Sequence, residues 1–356
     1  MTSDGTTELS ERVRAAHAAG TPLSIAAGGT KAWLGRPVAG EVLDVAGHRG
    51  IVGYEPTELT LTARAGTPLA EIEAVLAEHG QCLPFEPPHY GEAATLGGTI
   101  ACNLSGPARP YAGACRDFVL GARIVNGRGT VLRFGGEVMK NVAGYDLARL
   151  MAGAQGTLGV ILEVSLKVLP RPAAELTLVL EMDAAAAVAR FNAWAARPLP
   201  ITAACHVGER AHVRLAGAEA AVRAARRELG GEALADGAGF WRSVREHRHG
   251  FFSAPGSLWR LSLPPAAPVD PGLHQFIDWG GAQRWVYSEQ PLWASAAAAG
   301  GHATRWRAGS HGSSSPMEGG EVFQPLPGGL LALHRRLKRS FDPAGILNPG
   351  RLYSEL

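Results

Sequence analysis

The sequence predicts an α+β protein of two domains. Three observations carry that expectation. Segments of helical and of strand period alternate along the whole chain. Two strands flank Asn126-Gly127, a strong hairpin signal. Pro170-Arg171-Pro172 closes a long strand, and beyond it the texture turns alanine-rich. At 356 residues the chain exceeds one ordinary core, which calls for two domains or one domain with an insertion.

The elements follow in order. Leu9 to Ala19 has apolar residues at helical spacing, with Gly20 as a stop. Pro22 to Ala26 is a short buried strand. Glu41 to Val45 and Ile51 to Tyr54 read as strands around a Gly-containing turn, and Leu59 to Ala65 alternates as another. Thr67 is placed as N-cap of a helix with Pro68 in its first turn and Glu71 close behind. That helix stops at Gly80. Cys82 to Phe85 leads into Glu86-Pro87-Pro88-His89-Tyr90. Phe118 to Val125 and Thr130 to Phe134 form the hairpin. Tyr145 to Met151 is a short helix and Gly159 to Leu169 a long alternating strand.

Beyond the prolines, Glu175 to Met182, Ile201 to Val207 and His212 to Leu215 read as strands. Ala184 to Ala196 and Ala218 to Leu229 read as helices. This β-α-β, β-α order fits a small, ferredoxin-like antiparallel sheet with helices on one face. Ser257 to Leu263 and Gln283 to Tyr287 add strands, and Gly309 to Gly320 is a Ser/Gly-rich loop. Gly328 to Phe341 is a final helix before a turn at Asn348-Pro349-Gly350-Arg351.

The bulk composition excludes several classes. With 46% hydrophobic and 19% charged residues the chain is globular. A net charge of +2 gives no reason to expect nucleic acid. The first residues, with Asp4, Glu8 and Glu11, do not read as a leader, and no apolar run spans a bilayer. A cytoplasmic protein is expected, reaching a membrane only through a complex. Cys82, Cys102, Cys115 and Cys205 form no C-x-x-C pair, so an iron–sulfur cluster in the same electron path belongs to another chain.

Three glycine clusters carry the chemical signal: Gly28-Gly29-Thr30-Lys31, Thr95-Leu96-Gly97-Gly98-Thr99, and Gly153-Ala154-Gln155-Gly156-Thr157-Leu158-Gly159. Alone, Gly28-Gly29 is what any tight turn after a strand shows. Together the clusters suggest loops that bring bare backbone N–H groups to one large anionic ligand. No G-x-G-x-x-G opens a helix after a strand, and no G-x-x-x-x-G-K-[ST] is present, which disfavours a Rossmann or P-loop site.

These clusters resemble the flavin loops of the vanillyl-alcohol-oxidase-type (PCMH) FAD-binding family. Ala94 to Pro107 is similar to its second loop. Lys140-Asn141-Val142-Ala143-Gly144-Tyr145-Asp146-Leu147 with Gly153 to Val160 is similar to its third. Phe341-Asp342-Pro343 and Ile346 to Arg351 resemble its C-terminal return. Glu86 to Gly91, Arg133 to Leu147 and Gly301 to Arg305 give a closer resemblance, to the FAD-binding subunits of bacterial glycolate dehydrogenases (glycolate oxidases).

The resemblance implies a PCMH-type two-subdomain FAD-binding domain over 1–170, a small ferredoxin-like cap over 171–325, and a segment 326–356 returning to the first domain. It implies FAD held by Gly28, Gly29, Thr30, Lys31, Thr95, Gly97, Gly98, Asn103, Gly106, Gly156, Thr157, Gly159 and Val160. Thr30 stands where covalent members carry histidine, so the FAD is expected to be non-covalent. The implied partners are a larger FAD-containing subunit, an iron–sulfur subunit and a small 2-hydroxy-acid substrate.

The catalytic signal is thinner. The histidine-rich metal and substrate signature of many 2-hydroxy-acid members is absent, and no metal is expected. His206, His212, His302 and His311 read as surface or core histidines. Arg109 and Arg116, near Tyr111, could meet a carboxylate or could be ordinary loop arginines, and His89 and Tyr90 are the other candidates. Three readings stay open: oxidation of glycolate on this chain within a complex, a structural or electron-relay partner of a larger flavin subunit, and a stand-alone FAD-linked oxidase.

Overall fold

The computed structural model describes residues 3–136, 145–308 and 320–356. Lys140 to Gly144 of the third flavin motif, His311, and all but Gly320 of the Ser/Gly-rich loop lie outside the described residues.

The chain divides into two units. The first holds the described parts of Met1–Leu104, Ala114–Pro170 and Ser315–Leu356. The second holds Ser105–Gly113 and the described parts of Arg171–Ser314. The sequence places 1–170 in one unbroken domain, and Ser105–Gly113 departs from it. The cause is local packing: Tyr111 packs on the second unit's core, and the Gly106 carbonyl accepts the Trp279 Nε1 hydrogen at 3.0 Å.

The first unit opens with a helix, Thr6–Ala19, that buries Leu9, Val13 and Ala16 and ends at Gly20 in the left-handed region, φ 65°. Its strands are β1 (Leu23–Ala26), β2 (Glu41–Asp44), β3 (Ile51–Glu55), β4 (Thr60–Arg64), β5 (Gln81–Cys82), β6 (Val119–Val125), β7 (Val131–Gly135), β8 (Val160–Lys167) and β9 (Leu169–Pro170). β1 and β2 pair in parallel. A five-stranded antiparallel sheet runs β3-β4-β8-β6-β7, and β5 pairs with β9.

Two local expectations change. β8 does not alternate: six of its eight residues are buried, because it is the central strand and is covered on both faces. Thr67 does not cap the helix Leu69–Glu78, whose N-cap is Pro68. The Thr67 hydroxyl instead accepts the Gly50 N–H at 2.8 Å and donates to the Gly50 carbonyl at 3.2 Å. Full burial of Thr67 makes that pairing obligatory.

The C-terminal helix, Gly328–Phe341, meets this unit through Phe341, whose ring lies edge-on to Phe134. The chain then joins β1: Leu23 N–H donates to the Ile346 carbonyl at 2.7 Å and Asn348 N–H to the Leu23 carbonyl at 3.0 Å.

The second unit is built on β10 (Ala174–Glu181), β11 (Ile201–Val207), β12 (Arg210–Gly217), β13 (Glu232–Ala233), β14 (Leu258–Ser262), β15 (Gln275–Asp278), β16 (Gln283–Tyr287) and β17 (His302–Arg307). These described strands form one antiparallel sheet, β13-β10-β12-β11-β15-β16-β14-β17. The sheet is therefore wider than the small one expected. Helices Ala184–Ala195 and Glu219–Leu229 pack on its β10-β12-β11 part through Phe191, Trp194, Val222 and Leu229. A second cluster, with Trp259, Leu261 and Val286, covers the other part. No helix among the described residues is long and apolar enough to cross a membrane.

Candidate functional site

The first unit contains a cleft of about 1050 Å³, counting the space open to solvent. All three glycine clusters reach it. Gly28, Gly29, Thr30, Lys31, Thr95, Gly97, Gly98, Gly156 and Gly159 line its walls.

These glycines serve first to let backbone pack on backbone. A Cβ on Gly28 would lie 1.5 Å from the Ala93 carbonyl oxygen. One on Gly97 would lie 2.6 Å from the Ala65 Cβ, and the Gly97 N–H donates to the Ala65 carbonyl at 2.7 Å. The second cluster begins a short helix, Leu96–Cys102, capped by Thr95. Its hydroxyl accepts the Gly98 N–H at 3.3 Å. Gly29 differs, because its Cβ direction is open and its φ is +68°.

The cleft is suited to an anion. Among the described residues, the N–H groups of Gly28, Gly29 and Thr30 have no protein acceptor. Lys31 lies beside them, buried, its ammonium donating to the His89 carbonyl at 3.2 Å and to the Thr30 hydroxyl at 3.4 Å. Arg351 is the second cation of the wall. Among the described residues, no histidine and no carboxylate lines the cleft. The site can hold a diphosphate and expose backbone to a flat ring. Its described lining offers no imidazole or carboxylate for moving a proton.

Several predicted residues lie elsewhere. Asn103 ends the Leu96–Cys102 helix in the left-handed conformation, and its Oδ1 accepts the Arg116 N–H at 3.1 Å. Thr157 is buried with its hydroxyl on the Ala154 carbonyl, and Val160 is fully buried in the core of β8. Gly106 belongs to the second unit. None of the catalytic candidates lines the cleft. His89 Nε2 is 3.2 Å from Glu73 Oε1, and Tyr90 sits edge-on to Trp33 with Lys31 over its ring. Arg109 stacks on Trp279 in the second unit, 4.4 Å from the ring centre. Arg116 is exposed and pairs with Asp117 at 3.8 Å. Among the described residues no His, Cys, Asp and Glu cluster could hold a metal.

Sequence reasoning missed Cys102, Gln155, Asn348 and Arg351 as lining residues. Asn348 ties the walls together: its Oδ1 accepts the Ile25 N–H at 2.8 Å and its Nδ2 donates to the Gln155 carbonyl at 2.7 Å. Burial raises the Cys102 thiol pKa against the opposing pull of Lys31 and Arg351. The only sequence signal for Asn348 and Arg351 was their place in the C-terminal return motif.

Comparison with known proteins fits this geometry. A family model described as an FAD binding domain matches residues 3–135, and one described as the C-terminal domain of FAD linked oxidases matches 326–352. Over 352 residues, 98% of this chain and 97% of the other, the sequence is 53% identical to glycolate oxidase subunit GlcE of Escherichia coli (strain K12). The chain belongs to the GlcE family of FAD-linked oxidoreductases. Other relatives match a shorter stretch of the chain. Glycolate oxidase subunit GlcD of Bacillus subtilis (strain 168) is 34% identical over 139 residues, 38% of this chain and 29% of that protein. D-Lactate dehydrogenase of Anaerostipes hadrus is 33% identical over 134 residues, 37% of this chain and 28% of that protein. Among solved structures, p-cresol methylhydroxylase superposes with a TM-score of 0.66 at 16% identity, covering 99% of this chain and 88% of that one. This last likeness shows the fold, a PCMH-type FAD-binding architecture, as the sequence resemblance implied.

Proposed function

We propose that this chain is the FAD-binding subunit of a multi-subunit glycolate dehydrogenase that oxidises glycolate to glyoxylate and passes electrons to an acceptor other than oxygen. The observation that carries the reading is the 53% identity to a glycolate oxidase subunit over almost the full length of both chains. The cleft supports it with a built anion site among the same glycine clusters.

In this reading the N–H groups of Gly28, Gly29 and Thr30, with the Lys31 ammonium, take the diphosphate. Gly97 and Gly98 offer bare backbone on one side, and Gly156 and Gly159 on the other. Thr30 in place of a histidine leaves the FAD non-covalent. When bound, FAD supplies two-electron redox chemistry at its ring. The chain's own part is to bind the dinucleotide, orient it and wall off one side of it.

A larger FAD-containing subunit and an iron–sulfur subunit are the proposed partners. The four cysteines here stand apart in sequence, which leaves the cluster to another chain. The assembly is placed in the cytoplasm, with any membrane association coming through those partners.

The electron-relay reading gains from one specific observation: among the described residues neither histidine nor carboxylate lines the cleft, so the described lining supplies no base for the α-hydroxyl proton. One experiment separates a redox role, whether oxidation or relay, from a structural one. The complex is assembled with this chain carrying Gly97→Leu, and glycolate-dependent dye reduction and flavin content are measured. Loss of both supports a redox role. Full activity with no flavin on this chain assigns it a structural one.

A further inference from the structure

Arg351 is an unusual cation for its surroundings. It lines the cleft from the C-terminal turn, more than 300 positions along the chain from the first glycine cluster. Every acceptor of its guanidinium is neutral. Nη1 donates to the Arg36 carbonyl at 2.8 Å, Nη2 to the Ala32 carbonyl at 2.8 Å, and Nε to Gln155 Oε1 at 3.2 Å. Its own carbonyl accepts the Arg36 N–H at 2.9 Å. Among the described residues it has no carboxylate partner.

Each bond has a mechanical consequence. Ala32 and Arg36 lie just downstream of Gly28 to Lys31, so the guanidinium fork pins the far end of that loop. Gln155 belongs to the third cluster, so Nε ties the first loop to the third. Gly35 is built around this clasp: a Cβ there would lie 2.5 Å from Gln155 Oε1 and 3.0 Å from Arg351 Nε. A lysine could not reproduce the arrangement, because three acceptors in fixed directions need the planar fork. A half-buried guanidinium with only neutral acceptors also leaves net positive charge in the wall, a state that a bound anion relieves.

We propose that Arg351 is a positioning residue for the diphosphate of FAD: it fixes the Gly28–Arg36 loop through two carbonyl oxygens and keeps an unneutralised charge at the cleft wall. This rests on the FAD reading above.

The test is a binding titration on the purified, flavin-free full chain, wild type against Arg351→Lys and Arg351→Gln, with FAD and, separately, riboflavin, which lacks any phosphate. Melting temperatures of the flavin-free proteins are recorded in parallel. The expected result is FAD affinity falling on the order of tenfold in Arg351→Lys and further in Arg351→Gln. Riboflavin affinity stays within about twofold, and wild-type FAD binding weakens with salt more steeply than that of Arg351→Gln. Wild-type FAD affinity in the Lys and Gln variants overturns the proposal, as does an equal loss of FAD and riboflavin affinity. If Arg351→Gln does not fold, the Lys variant alone decides. Failure of the wild type to bind FAD overturns the underlying reading instead, and this proposal with it.

Discussion

Lys338 donates to Asp342 Oδ2 at 2.7 Å, one helical turn apart, with both side chains buried. The pair closes the C-terminal segment onto the FAD-binding unit. The Lys338 ammonium also donates to the carbonyls of Thr157 at 2.8 Å and Leu347 at 2.6 Å. The Asp342 carboxylate accepts N–H groups from Ile346 and Leu347. Four backbone groups from two segments, Thr157 and Ile346–Leu347, thus converge on two charges, immediately before Asn348 enters the cleft.

Removing one member strands the other. Lys338→Met leaves the Asp342 carboxylate buried without its cation, a change that costs about 3–5 kcal/mol. The expected outcome is a urea midpoint lowered accordingly, together with weaker FAD binding because Ile346 to Asn348 loses its anchor. An unchanged midpoint contradicts this account of the pair.

Gly28 and Gly29 are adjacent but constrained by different physics. Alanine at 28 drives a methyl group into the Ala93 carbonyl, which cannot move without shifting the second glycine cluster. Alanine at 29 meets no atom within 4 Å and bears only the left-handed backbone conformation. Gly29→Ala should cost about 1–2 kcal/mol. Gly28→Ala should cost more and remove FAD binding, because the loop must leave its place. Thermal melts and flavin content measure both. Equal effects at the two positions would refute the steric explanation.

The second unit should weaken in mild acid. Burial is the main cause that holds His247 down to about 3 and His212 to about 4. Unfolded, each protonates near the ordinary value of about 6.5. The unfolded state therefore binds more protons below pH 6.5. Stability is full above that pH and falls as the pH drops toward 4, by up to about 1.4 kcal/mol per unit for each histidine. Carboxylates act lower: Asp4, held at about 2 chiefly by its hydrogen bonds to Thr6, loses its contribution below about pH 4. His247 stacks on Phe252 and lies edge-on to Trp285, so tryptophan fluorescence reports the region. Denaturation midpoints that stay flat from pH 6.5 to 4.5 contradict the prediction.

What the sequence revealed was local. The stop at Gly20, the helix ending near Gly80 and the hairpin of β6 and β7 each depend on a few neighbouring residues, and they are found where expected. The glycine clusters were legible for the same reason. Thr67 was misplaced because its partner, Gly50, lies 17 residues away and outcompetes the cap. Asn348 and Arg351 were missed as site residues because their partners, Ile25, Ala32 and Arg36, lie more than 300 positions off. Ser105–Gly113 was assigned by its place in the chain, whereas the Trp279 indole decides where it packs. His89 and Tyr90 carry suitable chemistry, but Glu73, Lys31 and Trp33 hold them outside the cleft lining.

The central claim is that the cleft among the three glycine clusters holds FAD without a covalent bond. The most direct measurement is to purify the chain alone, reconstitute it with FAD, remove the excess and record the visible spectrum before and after acid precipitation. The account predicts a bound flavin spectrum, a raised melting temperature, and all the flavin released into the supernatant. A chain that retains no flavin and melts at an unchanged temperature would contradict it.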